Sequence, residues 1–436
     1  MIWIQLAVVL LAIFIGARMG GVGLGVMGGV GLGVLTFGFG LQPTEPPIDV
    51  MLMIVAVVTA AGALQAAGGM DYLVTVAEKI LRKNPQRITF MAPVTTYLFT
   101  FFAGTGHVAY TLLPVIAEVS QESKVRPERP MSVAVIASQQ AITASPISAA
   151  TVALLALLAP FDVTLLQILG VTIPATFLGI MTAAFVVSKK GAELEEDPEY
   201  KRRLERGLEP IREARAKIVV TAQAKFAVGL FLFASIFIVI LGSFPELRPA
   251  WETGGGVEEL SMPYAIQIIM LSVAAVIILF CKADVGKIAS GSVFRAGIVA
   301  VVAIFGIAWM GDTFFQGNSE AIESSMQGLV TAAPWLFAAA LFVLSILLNS
   351  QAATVTALVP LGLSLGINPF FLIAMFPAVN GYFFIPNYGP IIAAINFDRT
   401  GTTKIGKYVL NHSFMIPGLV TTVTAVALGF LFILFL

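Results

Sequence analysis

The chain is short of cysteine, histidine and charge. Among its 436 residues there are one Cys, two His and 11% charged residues, the 25 basic and 25 acidic side chains cancelling. A single cysteine, Cys281, excludes an internal disulfide and a cysteine-built metal cluster. Two histidines, His107 and His412, are too few for a histidine-based redox or metal centre. A formal charge of zero gives no reason to expect nucleic acid as a partner. No zinc-protease motif and no credible nucleophile–base pair occurs, so the reading is not an enzyme, and no cofactor is called for. One formal match to a dinucleotide fingerprint exists, Gly23-Leu-Gly25-Val-Met-Gly28. It lacks a preceding strand and a correctly spaced acidic residue. The glycines of GARMGGVGLGVMGGVGLG suit close packing of helices instead.

What the chain has is apolar length. With 58% hydrophobic residues and a mean hydropathy of +0.93 it is not a soluble protein. Apolar segments of roughly 16 to 25 residues recur throughout, each able to span a bilayer as a helix. The fold class is therefore an all-α membrane protein. The opening MIWIQLAVVLLAIFIGAR has no basic leader and no small-residue cleavage site, so it reads as a retained first span.

Ten spans and two half-spans are expected. Spans at 2–17, 20–41 and 48–67 are followed by an amphipathic connector from Gly68 to Arg87. The segment 88–122 is interrupted at Gly104-Thr105-Gly106-His107 and reads as a re-entrant hairpin. A broken span, 131–158, and an intact one, 164–188, complete a first unit, 1–188. A charged stretch, 189–224, reads as a solvated cytoplasmic linker. The second unit, 225–436, has spans near 224–243, 262–281 and 293–310, then a polar connector with Asp312, Glu320 and Glu323. A second hairpin, 333–365, has Asn349-Ser350-Gln351 at its centre. A broken span, 369–396, and a last span, 407–436, end the chain.

The two units repeat. Asp71 matches Asp312, Pro93 matches Pro334, Pro114 matches Pro360 and Pro146 matches Pro386, at offsets of 241, 241, 246 and 240. Each unit holds five full spans plus one hairpin. An odd count turns the second copy upside down, the inverted-repeat plan of many secondary transporters. Loop charge tests this independently. All Lys and Arg except Arg248 fall on one side, which is then the cytoplasm. Both termini are expected to face outward.

The candidate site comes from four polar interruptions at matched positions. The first tip offers Gly104, Thr105, Gly106 and His107. The first broken span, within SQQAITASPISAA, offers Gln139, Thr143, Ser145, Pro146 and Ser148. The second tip offers Asn349, Ser350, Gln351 and Thr354, and the second broken span Asn380, Tyr382, Asn387 and Tyr388. Pro146 should break its helix. Ser145-Pro146 reads as a fresh start, with Ser at the N-cap and Pro in the first turn. A helix start at membrane depth presents free N–H groups, which suit an anion. His107 could hydrogen-bond a carboxylate or be satisfied by local backbone, whereas His412 reads as structural or interfacial.

No Arg, Lys, Asp or Glu lies deep in any span. A site for an anion must then work without a countercharge. Moving a dianion alone against an interior-negative potential of 100 mV costs about 4.6 kcal/mol. Exchanging one dianion for another cancels that term, which favours antiport. Two other readings stay open, a cation-coupled symporter of the same architecture and a membrane signalling partner that binds ligand without transport.

The motifs GARMGG, LQPTEPPIDVM, LQAAGGMDYL, EKILRKNP, FAGTGH, PERP, ITASPISAA, GIAWMGDT, NSQAAT and NFDRTGTTKIGK carry a resemblance nearly end to end. The chain resembles the Dcu family of anaerobic C4-dicarboxylate transporters, and in ITASPISAA and DPEYKRRLERGL it looks more like the DcuA type than the DcuB type. The resemblance implies a bacterial inner-membrane exchanger of fumarate, succinate, malate and aspartate in anaerobic respiration. It implies membership of the ion-transporter superfamily, whose members are typically homodimers with an elevator-type moving domain. It places the site at Thr105, Gly106, Ser145, Ser350 and their neighbours. The tips read Gly-Thr-Gly and Asn-Ser-Gln, not the Ser-Asn-Thr of sodium-coupled dicarboxylate carriers. The charged linker and FDRTGTTKIGK are stretches that could serve a regulatory partner on the cytoplasmic side.

Overall fold

The glycine-rich second helix sets how closely the first helices pack. α1 (Ile2–Met19) leads into α2 (Gly23–Gly33), which continues through a π turn, Val34–Gly38. A Cβ on Gly25 would lie 1.9 Å from the Val302 carbonyl oxygen, and one on Gly28 2.4 Å from the Gly306 carbonyl carbon. Backbone meets backbone here, as expected of these glycines. The structure, a computed structural model, describes the chain except Gly20, Gly21, Pro47, His107, 207–219, 254–255, 319–332, Asn349, Asn387 and Val409.

α3 (Ile48–Ala66) bends by 71° into α4 (Gly69–Lys83), the amphipathic connector. The first interrupted segment is α5 (Ile88–Ala103) and α6 (Val108–Glu122). The first broken span is α7 (Glu128–Ala144) and α8 (Ala149–Leu158), followed by α9 (Leu165–Ser188). α9 starts with a capping box between Thr164 and Gln167. The linker holds a short helix, α10 (Pro198–Glu205). After α11 (Ala222–Ser243) come two antiparallel strands, β1 (Ala250–Thr253) and β2 (Gly256–Glu259), with Ala250 opposite Glu259. This hairpin was not anticipated, because four residues a side give too short an alternation to stand out from a polar loop.

α12 (Met262–Cys281), α13 (Val285–Ser290) and α14 (Ser292–Gln316) follow. The second interrupted segment is α15 (Leu336–Leu348) and α16 (Gln351–Ser364). The second broken span is α17 (Pro369–Met375), a 3-10 stretch (Phe376–Phe383) and α18 (Gly389–Phe397). α19 (Met415–Phe432) ends the chain's helices. Glu320 and Glu323 lie outside the described residues.

Among the described residues six helices are long and apolar enough to cross a membrane, or seven if the bent α3–α4 pair counts as one span. The ten spans counted from hydropathy are not reached by single-helix length. Several apolar pieces, such as Ile2–Gly16 and Pro369–Phe383, are too short to cross a bilayer as single straight helices. The first broken span lies deepest. Its most apolar window is 78% buried, against 28% for the last helix. α7 packs on α5 and α9, α8 on α16, α6 on α18, α15 on the 3-10 stretch, α2 on α14, and α3 on α12.

Two expectations for the polar face are corrected. The last helix begins at Met415, not near 407, because Asp398 gathers the intervening chain into a loop. Its carboxylate accepts from the N–H groups of Thr400 (2.9 Å) and Thr403 (2.6 Å) and the hydroxyl of Thr402 (2.8 Å). His412 is buried there. Its Nδ1 accepts from the Phe414 N–H and its Nε2 faces the Phe384 carbonyl, so the ring is a neutral structural group, as expected. Burial holds its pKa below the ordinary value, although the Phe384 carbonyl opposes this.

The linker, expected as a solvated connector, is folded in over its first part. Arg126 lies buried between Glu128 and Asp197. Arg129 donates to Glu193 and to the carbonyls of Lys190 and Gly191. Arg203 donates to the Arg399 carbonyl, and the Glu128 N–H to the Thr402 hydroxyl. Most of the described linker charges are exposed, as expected, but Asp197 is buried against Arg126, and Glu193, though exposed, pairs with Arg129 at the foot of α7. Burial alone would raise the Asp197 carboxyl. The N–H groups of Tyr200 and Glu199 and the Arg126 guanidinium outweigh it and hold the pKa below the usual range. Its contribution is therefore present at neutral pH and is lost as pH falls through that depressed value. Asp197→Asn keeps an N-cap oxygen but removes the charge facing Arg126. It should cost about 1.5–3 kcal/mol, read as a lower melting temperature in detergent and faster tryptic cleavage at Lys190 and Lys201.

Candidate functional site between the hairpin tips and the broken helices

Both tips and the first break meet at one cavity of about 200 Å3. Gly104, Thr105 and Gly106 line it from the first tip, Ser350 and Gln351 from the second, and Ile142, Ile147, Ala149 and Ala150 from the first broken span. Tyr388 adds a wall from the second broken span, and α3 and α14 close the far side. The tip is built for close approach. Gly104 ends α5 in the left-handed region at φ +66°, where any Cβ would also press on Ile147 at 3.0 Å. A Cβ on Gly106 would meet the Tyr388 hydroxyl at 3.3 Å and Ser138 Oγ at 3.4 Å.

The break differs from expectation by three residues. Ser145 is not the N-cap and Pro146 is not in the first helical turn. α7 ends at Ala144, and Ser145 N–H→Ile142 O and Ser148 N–H→Ser145 O bonds close a turn through Pro146 and Ile147. The new helix can start only after that turn. Its cap is Ser148, whose Oγ accepts from the Thr151 N–H at 3.1 Å. Ser145 instead donates its hydroxyl to the Phe101 carbonyl at 2.6 Å, clamping the first hairpin arm to the break. At the second tip the expected cap is found: Ser350 Oγ accepts from the Ala353 N–H at 3.2 Å.

Two helix starts therefore open on the cavity. Ala149 and Ala150 begin α8, and Gln351 and Ala352 begin α16, and all four line it. The first N–H groups of a helix have no intrahelical acceptor and carry a partial positive charge. Among the described residues no Asp, Glu, Lys or Arg lines the cavity. Among the described residues no cluster of three or more His, Cys, Asp or Glu forms a metal site.

Behind the walls runs a buried amide network. Gln351 Nε2 donates to Asn380 Oδ1 at 2.9 Å and to the Gln139 carbonyl at 3.3 Å. Asn380 Nδ2 donates to Gln140 Oε1 at 3.1 Å, and Gln140 Nε2 to the Thr422 hydroxyl at 3.3 Å. The second tip, both broken spans and the last helix are thus one hydrogen-bonded unit. Gln139 is the exception: its amide is 1% exposed, and neither its oxygen nor its nitrogen has a protein partner. Tyr382 is likewise buried with an unpartnered hydroxyl, its ring 4.7 Å edge-on from that of Tyr388.

Of the residues expected at the site, Gly104, Thr105, Gly106, Ser350, Gln351 and Tyr388 share the cavity. Gln139, Ser145, Pro146, Ser148, Asn380 and Tyr382 form its supporting layer. Thr143 and Thr354 spend their hydroxyls on the Gln140 and Ser350 carbonyls of their own helices. His107, Asn349 and Asn387 lie outside the described residues. Ser138 and Gln140 belong to the stretch SQQAITASPISAA but were not among the expected site residues. Ser138 accepts from Thr100 and donates to the Gly106 carbonyl at 3.2 Å, so it holds the first tip. Its only signal was a hydroxyl two turns ahead of Ser145 on an apolar helix.

Comparison with known proteins places this architecture. The profile described as "Anaerobic c4-dicarboxylate membrane transporter" matches residues 1–436. The chain belongs to this family. It is 44% identical over 435 residues to the C4-dicarboxylate transporter DcuA of Escherichia coli K12, covering 99% of this chain and 98% of that one. To DcuA of Wolinella succinogenes it is 42% identical over 431 residues, 99% of both chains. To the anaerobic C4-dicarboxylate transporter DcuB of Escherichia coli O6:H1 it is 40% identical over 439 residues, 98% of both. These are membrane transporters, not enzymes.

Two solved structures share the fold at 13% identity. MtrF of Neisseria gonorrhoeae, described within a class of antimetabolite efflux pumps, superposes with a TM-score of 0.55 over 91% of this chain and 83% of that one. The YdaH transporter of Alcanivorax borkumensis does so with 0.53 over 88% and 85%.

The two serines should now separate. Ser350→Ala removes a cap and a cavity hydroxyl, so substrate affinity should fall together with about 1 kcal/mol of stability. Ser145→Ala should lower the melting temperature while leaving affinity near wild type. Binding and thermal-shift measurements on the purified variants separate the two roles, and equal affinity losses would return Ser145 to the cavity wall.

Proposed function

We propose that this protein is an antiporter that exchanges C4-dicarboxylates, the class comprising fumarate, succinate, malate and aspartate, across the bacterial inner membrane. The observation that carries this reading is the pair of helix starts, α8 and α16, opening on one cavity whose described lining holds no Asp, Glu, Lys or Arg. A four-carbon dicarboxylate offers a carboxylate to each. The N–H groups at the two helix starts and the Ser350 hydroxyl supply donors. The amide network, in which Gln351 spends both side-chain N–H bonds on Asn380 and Gln139, braces the second start against the first broken span. A dianion bound this way keeps its full charge, so carrying it one way moves net charge while exchange does not. The curated names of the relatives, C4-dicarboxylate transporters, support the substrate class.

We take the chain as two inverted repeats, 1–188 and 225–436, joined by the linker, with an elevator-type movement of the part holding both hairpins and with both termini periplasmic. Matched packing supports the repeat: α2 lies on α14 as α12 lies on α3, and α6 lies on α18 as α16 lies on α8. The loop-charge asymmetry supports the orientation. A signalling partner that reads FDRTGTTKIGK is less well supported, since Asp398, Thr400, Thr402 and Thr403 are buried in their own loop.

Counterflow in proteoliposomes tests the reading. Vesicles loaded with succinate should take up labelled fumarate far faster than empty vesicles, without a sodium or proton gradient. Equal uptake by loaded and empty vesicles would contradict exchange. Uptake that collapses without a cation gradient, despite internal succinate, would favour a symporter.

A further inference from the structure

A second cavity, of about 400 Å3, adjoins the first, and the two share Thr105 and Val293. Its other walls are Gln65 at the end of α3, Met70 on α4, Val108, Tyr110 and Thr111 on α6, and Ser292 at the start of α14. Gln65 Nε2 donates to Ser292 Oγ at 2.8 Å, and its Oε1 accepts from the Val293 N–H at 3.3 Å. This amide ties two helices of different units at the rim. Tyr110 reaches from here toward the first cavity, since a Cβ on Gly389, next to Tyr388, would lie 1.9 Å from its hydroxyl oxygen.

The rim has a side. Gln65, Met70 and Ser292 sit at helix ends whose flanking segments hold Lys79, Arg82, Lys83 and Arg87 on one hand, and Lys282, Lys287 and Arg295 on the other. Basic residues of short loops lie in the cytoplasm. Arg295 is exposed one turn beyond Ser292, where it adds positive potential beside the opening.

We propose that this second cavity is the cytoplasmic vestibule of the substrate site, through which a small dicarboxylate reaches Thr105. The inference deepens the exchange reading and rests on it. The Ser292 hydroxyl and the second N–H of the Gln65 amide give the anion donors in place of water. Thr111 adds a polar wall while its own hydroxyl is held by the Val108 carbonyl, and no carboxylate is among the described residues lining the cavity. Thr105, common to both cavities, is the point of transfer. These are positioning residues along a route.

Single cysteines test the route in a Cys281→Ser background, with a charged, membrane-impermeant methanethiosulfonate as the probe. Thr111→Cys and Ser292→Cys, on separate helices, should react several-fold faster in everted vesicles than in intact cells, and saturating fumarate should slow the reaction. Phe233→Cys, on the exposed apolar face of α11, is the lipid-facing control. Reaction no faster than this control, or faster from the periplasmic side, in whichever of the two variants inserts, would overturn the vestibule. Counterflow in the same everted vesicles reports on exchange separately. Sided, fumarate-sensitive labelling with failed counterflow would fault the exchange mechanism and leave the vestibule standing. Intact counterflow with unsided labelling would do the reverse.

Discussion

Under the proposed exchange, a carboxylate in the cavity must trade its water for protein donors, and no Lys or Arg is among the described residues that line it. That constraint organises the rest. The available donors are backbone N–H groups, and these are free only where a helix begins. Helix starts at depth require that helices be broken or doubled back. Irregular backbone inside a membrane protein is stable only where it is buried in protein or lines a cavity. The first break is accordingly wrapped in protein, and among the described helices long enough to cross a membrane the first broken span is the most buried. Each device that holds the breaks is a hydrogen bond between unlike parts: Ser145 to Phe101, Ser138 to Gly106, Gln351 to Asn380 to Gln140.

The amide network also explains why amides serve where charged pairs would not. A buried ion pair needs extra hydrogen bonds to offset desolvation, and either partner becomes costly if the other moves away. Amides bridge three elements at a modest cost. The charged clusters sit instead at the foot of α7, where Arg126 and Arg129 bind the linker to its base and the Asp398 loop closes against Glu128. The start of the first broken span is thereby fastened to the chain following the second.

The sequence made the large features legible because each had a local cause. Pro146 and Gly104 interrupt apolar runs, amphipathic residues mark α4, and glycines mark the α2–α14 crossing. Where the reading failed, the deciding partner was distant in sequence. Nothing near Ser145 says that its hydroxyl belongs to Phe101, so the cap was placed on it and not on Ser148. Ser138 and Gln140 gain their roles from Gly106 and Asn380. Most linker charges are solvated as they look, but nothing near Asp197 says that Arg126 buries it, and NFDRTGTTKIGK conceals a carboxylate-centred loop that delays the last helix to Met415.

The central claim, that a site without countercharge works by balanced exchange, is most directly tested with voltage. Succinate-loaded proteoliposomes would be clamped with potassium gradients and valinomycin while labelled fumarate uptake is followed. Two dianions crossing in opposite directions leave no net charge, so the rate should be unchanged between zero and an interior-negative potential. One net charge moved per cycle would place about 2.3 kcal/mol per 100 mV on the transport step. A steep fall in rate on imposing that potential would contradict the account.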